Sequence, residues 1–148
     1  MWLLHLAQRD SKQRSIDWHV RSEFDKFPFQ IGQRRFSGMV DTGAAGGIYM
    51  PWKSFKALVR ADAVRNVFPC ALLALGGQVM QGAMVGKCKV SFYDSDDRPR
   101  EFKLEVIGLP GYKREGEALI GREFLANFGR YNFSFSGKLR MFEGIVYK

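Results

Sequence analysis

The sequence predicts an all-β fold, a barrel or a sandwich that also contains one or two short helices. Apolar and polar residues alternate over many short segments, and clusters of glycine, proline and aspartate separate those segments. Helical spacing of apolar residues is sparse. The chain of 148 residues, 46% of them hydrophobic, has the length of one domain and can bury a substantial core.

The N-terminal part differs from the rest in its pattern. Residues 1–26 carry mixed charges and weak periodicity, so we interpret them as an N-terminal extension that packs onto a domain spanning 27–148. The segment "FPFQI" alternates apolar and polar residues, "GQ" is typical of a turn, and "RRFSGMV" completes a hairpin. This hairpin places Asp41 at its far end.

A helix and a second hairpin are predicted in the middle of the chain. In "YMPWKSFKALVRADAV", Pro51 stands near a first helical turn and apolar residues follow at helical spacing. In "CALLALGGQVMQGAMVGKCKVSFYD", two apolar arms flank Gly76 and Gly77, which predicts a hairpin.

The last third of the chain returns to short strands. A turn is predicted at "DSDDRP", followed by a strand at "REFKLEVIGL" and a short buried segment at "EALIG". One or two helical turns are predicted at "REFLANFG". A final hairpin is predicted at "YNFSFSGKLRMF", and a further strand at "IVY".

The charge of the chain is basic, with a net charge of +8 and a pI near 9.7. A basic balance favours anionic partners. However, the lysines and arginines form no long run and no zinc-finger spacing is present, so a solvated basic surface is the simpler interpretation and nucleic acid is not the expected partner. Acidic peptide substrates are an alternative that the charge favours.

The cysteines and histidines point to no disulfide scaffold and no metal. Cys70 and Cys88 are expected to be free thiols. His5 and His19 lack acidic or cysteine partners at ligand spacing, so we expect no metal and no other cofactor. No apolar stretch is long enough to span a membrane and no signal-peptide pattern is present, so the expected location is cytoplasmic, without a membrane partner.

Asp41 is the candidate for chemistry. It ends an apolar run, and an ionised carboxylate in an apolar setting is costly unless it finds partners. Thr42 offers a hydroxyl and Gly43 an unobstructed N–H group. The alternative interpretation is a turn aspartate that accepts a hydrogen bond from its own backbone.

Three motifs in order give this interpretation a family context. They are "MVDTGA" (Met39 to Ala44), the hairpin around "LGGQVMQG" (Leu75 to Gly82) and "LIGREFL" (Leu119 to Leu125). In this order the chain resembles the retropepsin-like aspartic proteases over roughly Phe27 to Phe142. The resemblance implies a closed β-barrel with a flap hairpin and a polypeptide substrate.

The resemblance also implies a homodimer. The chain holds one Asp-Thr-Gly, whereas water activation needs two carboxylates that share a proton. The second carboxylate is then Asp41 of another copy. By resemblance the site residues are, for catalysis, Asp41, Thr42 and Gly43; for substrate binding, Ala44 and Ala45 with the flap residues Gly76, Gly77, Gln78 and Val79; and for support, Leu119, Ile120, Gly121 and Arg122.

Other interpretations stay open at this stage. Gly76 and Gly77 also suit an ordinary hairpin turn, and Arg122 also suits a surface arginine. Ala45 stands where many members of the family carry serine, threonine or aspartate. The alternative function is therefore a catalytically weak or inactive module that uses the same barrel for dimerisation or peptide binding.

Overall fold

The computed structural model describes residues 14–73, 79–112 and 117–148. Strands dominate it, and two short helices lie between them. The elements follow in this order: β1 (Ile16–Glu23), β2 (Phe27–Ile31), β3 (Arg34–Val40), β4 (Ile48–Pro51), α1 (Trp52–Arg60), β5 (Arg65–Leu73), β6 (Val79–Tyr93), β7 (Pro99–Leu109), β8 (Glu117–Ile120), α2 (Arg122–Leu125), β9 (Arg130–Ser136) and β10 (Leu139–Tyr147).

The larger sheet closes into a barrel. Its strands lie in the order β2-β3-β8-β4-β7-β6-β5, and β2 also pairs with β6 through Gln30↔Ser91 and Ile31↔Val90. This pairing closes a ring of six strands, from which β5 extends beyond β6. The predicted closed β-barrel with short helices is thereby confirmed, and the sandwich alternative is not.

The smaller sheet joins the two ends of the described chain. β1 pairs with β10, and β10 pairs with β9, both antiparallel. No strand is predicted over Ile16–Glu23, although Ile16, Trp18 and Val20 alternate there with polar residues. Trp18 and Val20 on this strand are buried in the main core. The division between an extension at 1–26 and a domain at 27–148 stays a prediction, and the segment "WLLHL" lies outside the described residues.

The predicted hairpins are present with small differences. β2 and β3 pair across a turn at Gly32, whose φ of +59° favours glycine. β9 and β10 form the last hairpin, and "IVY" proves to be the end of β10 rather than a further strand. β5 and β6 pair antiparallel as far as Leu73↔Val79, and the tip between them lies outside the described residues.

Aromatic side chains fill the barrel core, as thirteen phenylalanines in the sequence indicate. Phe27, Phe124 and Phe142 are at most 1% exposed. Phe124 packs edge-to-face on Phe27 and Phe102 with ring centroids 5.3 and 5.5 Å apart. Such pairs favour one arrangement of the rings beyond the gain from burial. They fix α2 against strands that are distant in sequence.

The two cysteines are free, as the sequence predicts. Cys88 on β6 is buried, and burial together with the negative charge of Glu123 raises the pKa of its thiol to about 12. Cys70 on β5 is partly exposed. A thiol with so high a pKa is not a nucleophile at neutral pH, so Cys88 acts as a small core residue.

Candidate active site

The barrel topology brings two of the sequence motifs together. β3 runs parallel to β8 with Val40 in register with Ile120. The N–H of Asp41 donates to the carbonyl of Ile120 at 2.8 Å, which extends this pairing by one residue. Asp41 therefore stands where β3 ends, next to the end of the "LIG" segment.

The loop after Asp41 folds back on the carboxylate. The N–H of Gly43 donates to Asp41 Oδ1 at 2.9 Å, and the N–H of Ala44 donates to the Asp41 carbonyl at 3.2 Å. Asp41 is half-buried, whereas Thr42 and Gly43 are exposed. A turn aspartate and a held catalytic carboxylate both make the contact with Gly43, so this bond alone does not separate the two interpretations.

The "LIG" segment anchors the far side of the same loop. Gly121 donates to the Gly47 carbonyl at 2.7 Å, and Arg122 donates to the Ala44 carbonyl at 2.8 Å. A Cβ on Gly121 would collide with the carbonyl oxygen of Gly46 and lie 2.7 Å from that of Ala44. Only glycine allows this approach. The Arg122 side chain is exposed, so its contribution here comes from the backbone.

Two supporting side chains were not found from the sequence. Tyr49 on β4 accepts a hydrogen bond from the N–H of Gly46 at 2.8 Å through its hydroxyl oxygen. Glu123 Oε1 accepts one from the N–H of Glu105 at 2.7 Å, which ties α2 to β7. The first contact spans three positions of the chain and the second joins α2 to β7, and only the acid in the first turn of a predicted helix gave any sequence signal.

The hairpin of β5 and β6 contributes to a second apolar cluster, which also contains residues of β7. Gly76, Gly77 and Gln78 lie outside the described residues, and Val79 begins β6 with 56% of its surface exposed. Tyr49 packs against this cluster and also holds the Asp41 loop. Its buried members are Ala83, Val85, Ile107 and Leu109.

The described part of the chain contains no metal-binding cluster and no helix that could span a membrane. Among residues 14–73, 79–112 and 117–148, no three side chains of histidine, cysteine, aspartate or glutamate are grouped to hold a metal ion. The helices found in the same ranges are too short and too polar to cross a membrane.

Comparison with known proteins identifies the architecture. No protein-family model and no curated protein matches the sequence. The structure matches the crystal structure of a retropepsin-like aspartic protease from Rickettsia conorii with a TM-score of 0.51 over 90% of this chain and 95% of that chain. The chain has the retropepsin-like fold. The sequence identity is 14%, so the match establishes the fold and does not establish an activity.

On this retropepsin-like barrel, exposed apolar side chains lie close to the end of β3. Val40 donates to the Phe24 carbonyl at 2.7 Å, and the N–H of Phe24 donates to the Arg140 carbonyl at 3.0 Å. These bonds join the Asp41 strand to the β9–β10 hairpin. Phe24 also packs edge-to-face on Phe135, with 5.6 Å between the ring centroids. The exposed apolar residues of this region, which we call the apolar rim, are Met39 (37% exposed), Phe135 (72%) and Leu139 (53%).

Proposed function

We propose that this protein is an aspartic endopeptidase that works as a homodimer, with one Asp41 from each copy at the catalytic centre. The observation that carries the proposal is the state of the Asp41 carboxylate. One oxygen is held by Gly43, and among the described residues no group donates a hydrogen bond to the other oxygen. A carboxylate that is oriented but not saturated is available for proton transfer.

The chemistry needs two such groups. Two carboxylates about 3 Å apart cannot both ionise, so together they hold one proton. The ionised Asp41 takes a proton from a water molecule as this water attacks the peptide carbonyl, and the protonated Asp41 donates its proton to the carbonyl oxygen. Collapse of the tetrahedral intermediate then transfers a proton to the departing amine, and the C–N bond breaks. No enzyme-bound covalent intermediate forms.

The apolar rim supports the position of the second copy. Phe135 lies on β9, which is an edge strand of the smaller sheet and is exposed along most of its length. An exposed aromatic group on an open strand edge favours association with another chain. We therefore place the dimer contact at Met39, Phe135 and Leu139, since this contact would bring two Asp41 loops toward a common axis.

The remaining site residues have proposed roles that follow from the resemblance. Thr42 braces the two loops across the axis, and Ala44 and Ala45 line the substrate. The segment from Gly76 to Val79 closes over an extended polypeptide that pairs through its backbone. Leu119, Ile120, Gly121 and Arg122 support the Asp41 loop. The cytoplasmic location also stays a prediction.

The Asp41→Asn variant tests the chemistry. Cleavage of an unfolded protein substrate is measured between about pH 4 and pH 7. Wild type is expected to cleave and Asp41→Asn is not. The matched control is Asp97→Asn, because Asp97 is exposed and has a φ of +59°, which asparagine adopts readily. Equal cleavage by wild type and Asp41→Asn overturns the protease proposal.

The dimer is tested separately by sedimentation. Phe135→Asp places a charge in the apolar rim and is expected to reduce both the dimer fraction and cleavage in parallel. Val59→Asp is the control, since Val59 is a partly exposed residue of α1 away from the rim. Mixing wild type with an excess of Asp41→Asn is expected to suppress cleavage, because mixed dimers hold one acid. Full cleavage by a monomer would contradict the shared site.

The second candidate is a dimerisation or peptide-binding module without catalysis. Ala45 favours it, because a methyl group replaces a polar side chain close to Asp41. This candidate predicts that wild type and Asp41→Asn form equal amounts of dimer and that neither cleaves. The sedimentation and cleavage measurements together therefore separate the two functions.

A further inference from the structure

One side of β6 forms the outer surface of the barrel. Cys88, Val90 and Phe92 are buried, so the residues between and beside them point away from the core. The outward residues of this half of β6 are Lys87, Lys89, Ser91 and Tyr93. We call the surface formed by these four residues and their outward neighbours on adjacent strands the outer trough.

One end of the outer trough places like charges side by side. Arg65 on β5 is in register with Lys87, and Lys89 is in register with Lys103 on β7, while Glu105 on β7 is in register with Lys87 on its other side. Like charges directly opposite one another destabilise a sheet. Among the described residues, no carboxylate lies within ion-pair distance of Lys87 or Lys103. Lys89 reaches Glu101 at 4.0 Å, and both side chains are at least half exposed.

A cavity of about 730 Å³ lies over this basic end. It is bordered by the Gly32 turn; its charged lining residues are Arg65, Lys87, Lys89 and Lys103 together with Asp62, Glu105 and Glu123. The like-charged pairs therefore face an open space large enough for a ligand and not a packed neighbour. An anionic group bound between the lysines would relieve their repulsion.

The other end of the outer trough is aromatic. Tyr93 is 68% exposed and is in register with Pro99. Pro28 and Phe36 line the same depression, which has a volume of about 390 Å³, and Arg35 lies at its edge. Exposed tyrosine and proline rings form a surface on which an apolar side chain can pack. The basic and aromatic ends lie on the same face of β6, and Ser91 with its cross-strand partner Glu101 lies between them.

Carboxylates are interleaved with the cations of the outer trough. Glu101 and Glu105 alternate with Lys103 along β7, and Asp62 stands beside Arg65 at 2.8 Å. A continuous phosphate backbone would meet these carboxylates, whereas a peptide with separate acidic side chains avoids them. The mixed charge therefore favours an acidic peptide over a nucleic acid.

We propose that the outer trough binds an extended acidic peptide, whose carboxylates lie at Lys87, Lys89 and Lys103 and whose apolar or aromatic side chain packs on Tyr93. Lys89 and Tyr93 are four residues apart on one strand, which corresponds to about 13 Å. An extended ligand has the same rise, so its acidic and aromatic residues are about four positions apart.

The aromatic end of this site is separate from Asp41, whereas the cavity at the basic end is also lined by Glu123, whose N–H donates to the Gly46 carbonyl at 3.2 Å. Arg35 lies near the start of β3 and Asp41 follows its end, a span of about 20 Å along an extended strand. The inference therefore holds whether or not the protein is a protease. If it is one, the outer trough selects substrates by a segment away from the cleaved bond.

The test uses a peptide labelled with an uncharged fluorophore, Gly-Glu-Glu-Ser-Gly-Ser-Phe-Gly, and measures binding to the full chain by anisotropy. The Lys89→Glu/Lys103→Glu variant is expected to bind at least about tenfold more weakly. Lys53→Glu/Lys56→Glu on α1 has the same change in net charge on exposed residues and is expected to bind within about twofold of wild type. Binding is expected to weaken as salt is raised.

The aromatic end is tested with the same peptide. Tyr93→Ala is expected to weaken binding about fivefold, and Tyr93→Phe is expected to bind within about twofold of wild type, because the ring is retained. A peptide with glutamine in place of both glutamates is expected to bind about tenfold more weakly. Circular dichroism of each variant checks that these surface changes leave the fold intact.

Two results would overturn the proposal. The first is equal binding by wild type and Lys89→Glu/Lys103→Glu, or equal binding of the glutamate and glutamine peptides. The second is tighter binding of oligo-dT than of the peptide with the same dependence on Lys89 and Lys103, which would make the outer trough a nucleic-acid surface. Cleavage by Lys89→Glu/Lys103→Glu of a substrate without acidic residues is expected to equal that of wild type.

Discussion

Asp41 and Asp94 are both aspartates at the end of a strand, but their carboxylates differ in burial and in hydrogen bonding. Asp94 follows β6 and is 5% exposed. It accepts hydrogen bonds from the N–H groups of Asp96 and Arg98 at 2.8 and 3.0 Å and from Arg100 Nε at 2.8 Å. Asp41 is half-buried, and among the described residues its carboxylate accepts one hydrogen bond, from the N–H of Gly43.

The difference separates a structural acid from an available one. Burial raises the pKa of Asp94, but the hydrogen bonds from Arg100, Arg98 and Asp96 and the charge of Arg100 outweigh it and hold the pKa below its usual value. Arg100 in turn lies over the ring of Trp18 at 4.9 Å. Asp94 thus stabilises a turn and, through Arg100, its contact with the core. The Asp41 carboxylate can accept further hydrogen bonds from a ligand.

The Asp41→Asn variant is the strongest test of the difference between Asp41 and Asp94. Asp41→Asn is expected to reduce cleavage at least about 1000-fold, because proton transfer needs the acid. Its free energy of unfolding is expected to stay within about 0.5 kcal/mol of wild type, since one hydrogen bond to an amide oxygen replaces one to a carboxylate. Urea unfolding beside the cleavage assay checks both. A large loss of stability would show that Asp41 is a structural acid.

The same exchange at Asp94 is expected to have the reverse effect. Asp94→Asn leaves the charge of Arg100 without its partner and is expected to lower the free energy of unfolding by about 3 kcal/mol. Asp96→Asn is the control, because its side chain is exposed, and is expected to change stability by less than about 0.5 kcal/mol. Equal stability of the two variants would mean that the Asp94 contacts contribute nothing.

The Gly121→Ala variant measures how much the close packing of the Asp41 loop contributes to stability. The loop there is held by backbone contacts at close range, so an added methyl group is expected to push Gly46 and Ala44 away and lower the free energy of unfolding by about 2 kcal/mol. Gly111→Ala is the control, since among the described residues other than its chain neighbours no atom lies within 4 Å of its added Cβ. The φ of Gly111 is +78°, so about 1 kcal/mol is expected from backbone strain alone. Thermal unfolding of both variants measures the difference.

The pH dependence of stability gives the smallest effect. The pKa of Asp94 is lowered in the folded protein, so its contribution is complete above the usual value of 3.8 and is lost as pH falls through the folded pKa. Stability of wild type is therefore expected to fall more steeply below about pH 4 than that of Asp94→Asn. Urea unfolding over the acid range tests this, and parallel curves for the two proteins would contradict it.

Part of the fold could be predicted because local pattern specifies it. The β2–β3 and β9–β10 hairpins follow from alternation and turn residues, and α1 follows from helical spacing after Pro51. The position of Asp41 at a strand end is local too. By contrast, no strand was predicted over Ile16–Glu23, although Trp18 and Val20 alternate there with polar residues, and Trp18 becomes part of the core because β10 lies beside it.

The supporting contacts of the candidate site were not predicted from the sequence. Glu123 meets Glu105 only after β8, β4 and β7 have been placed side by side in the barrel, whereas Tyr49 and Gly46 are three residues apart in the chain. A tyrosine in a strand and a glutamate in a first helical turn each have ordinary explanations. The partner of Glu123 depends on strand order, which short-range periodicity does not encode, and the Tyr49 contact depends on the conformation of the loop before β4.

The sequence by itself determined the strands, the turns and the presence of one oriented Asp-Thr-Gly loop, since these depend on residues a few positions apart. The tertiary structure alone decided that β2 closes on β6 and that "LIG" anchors the loop of Asp41, because both contacts join segments that are far apart in the sequence. The saturation of Asp94 is local instead, since its donors Asp96, Arg98 and Arg100 lie within six residues of it, and the tertiary structure adds the contact of Arg100 with Trp18.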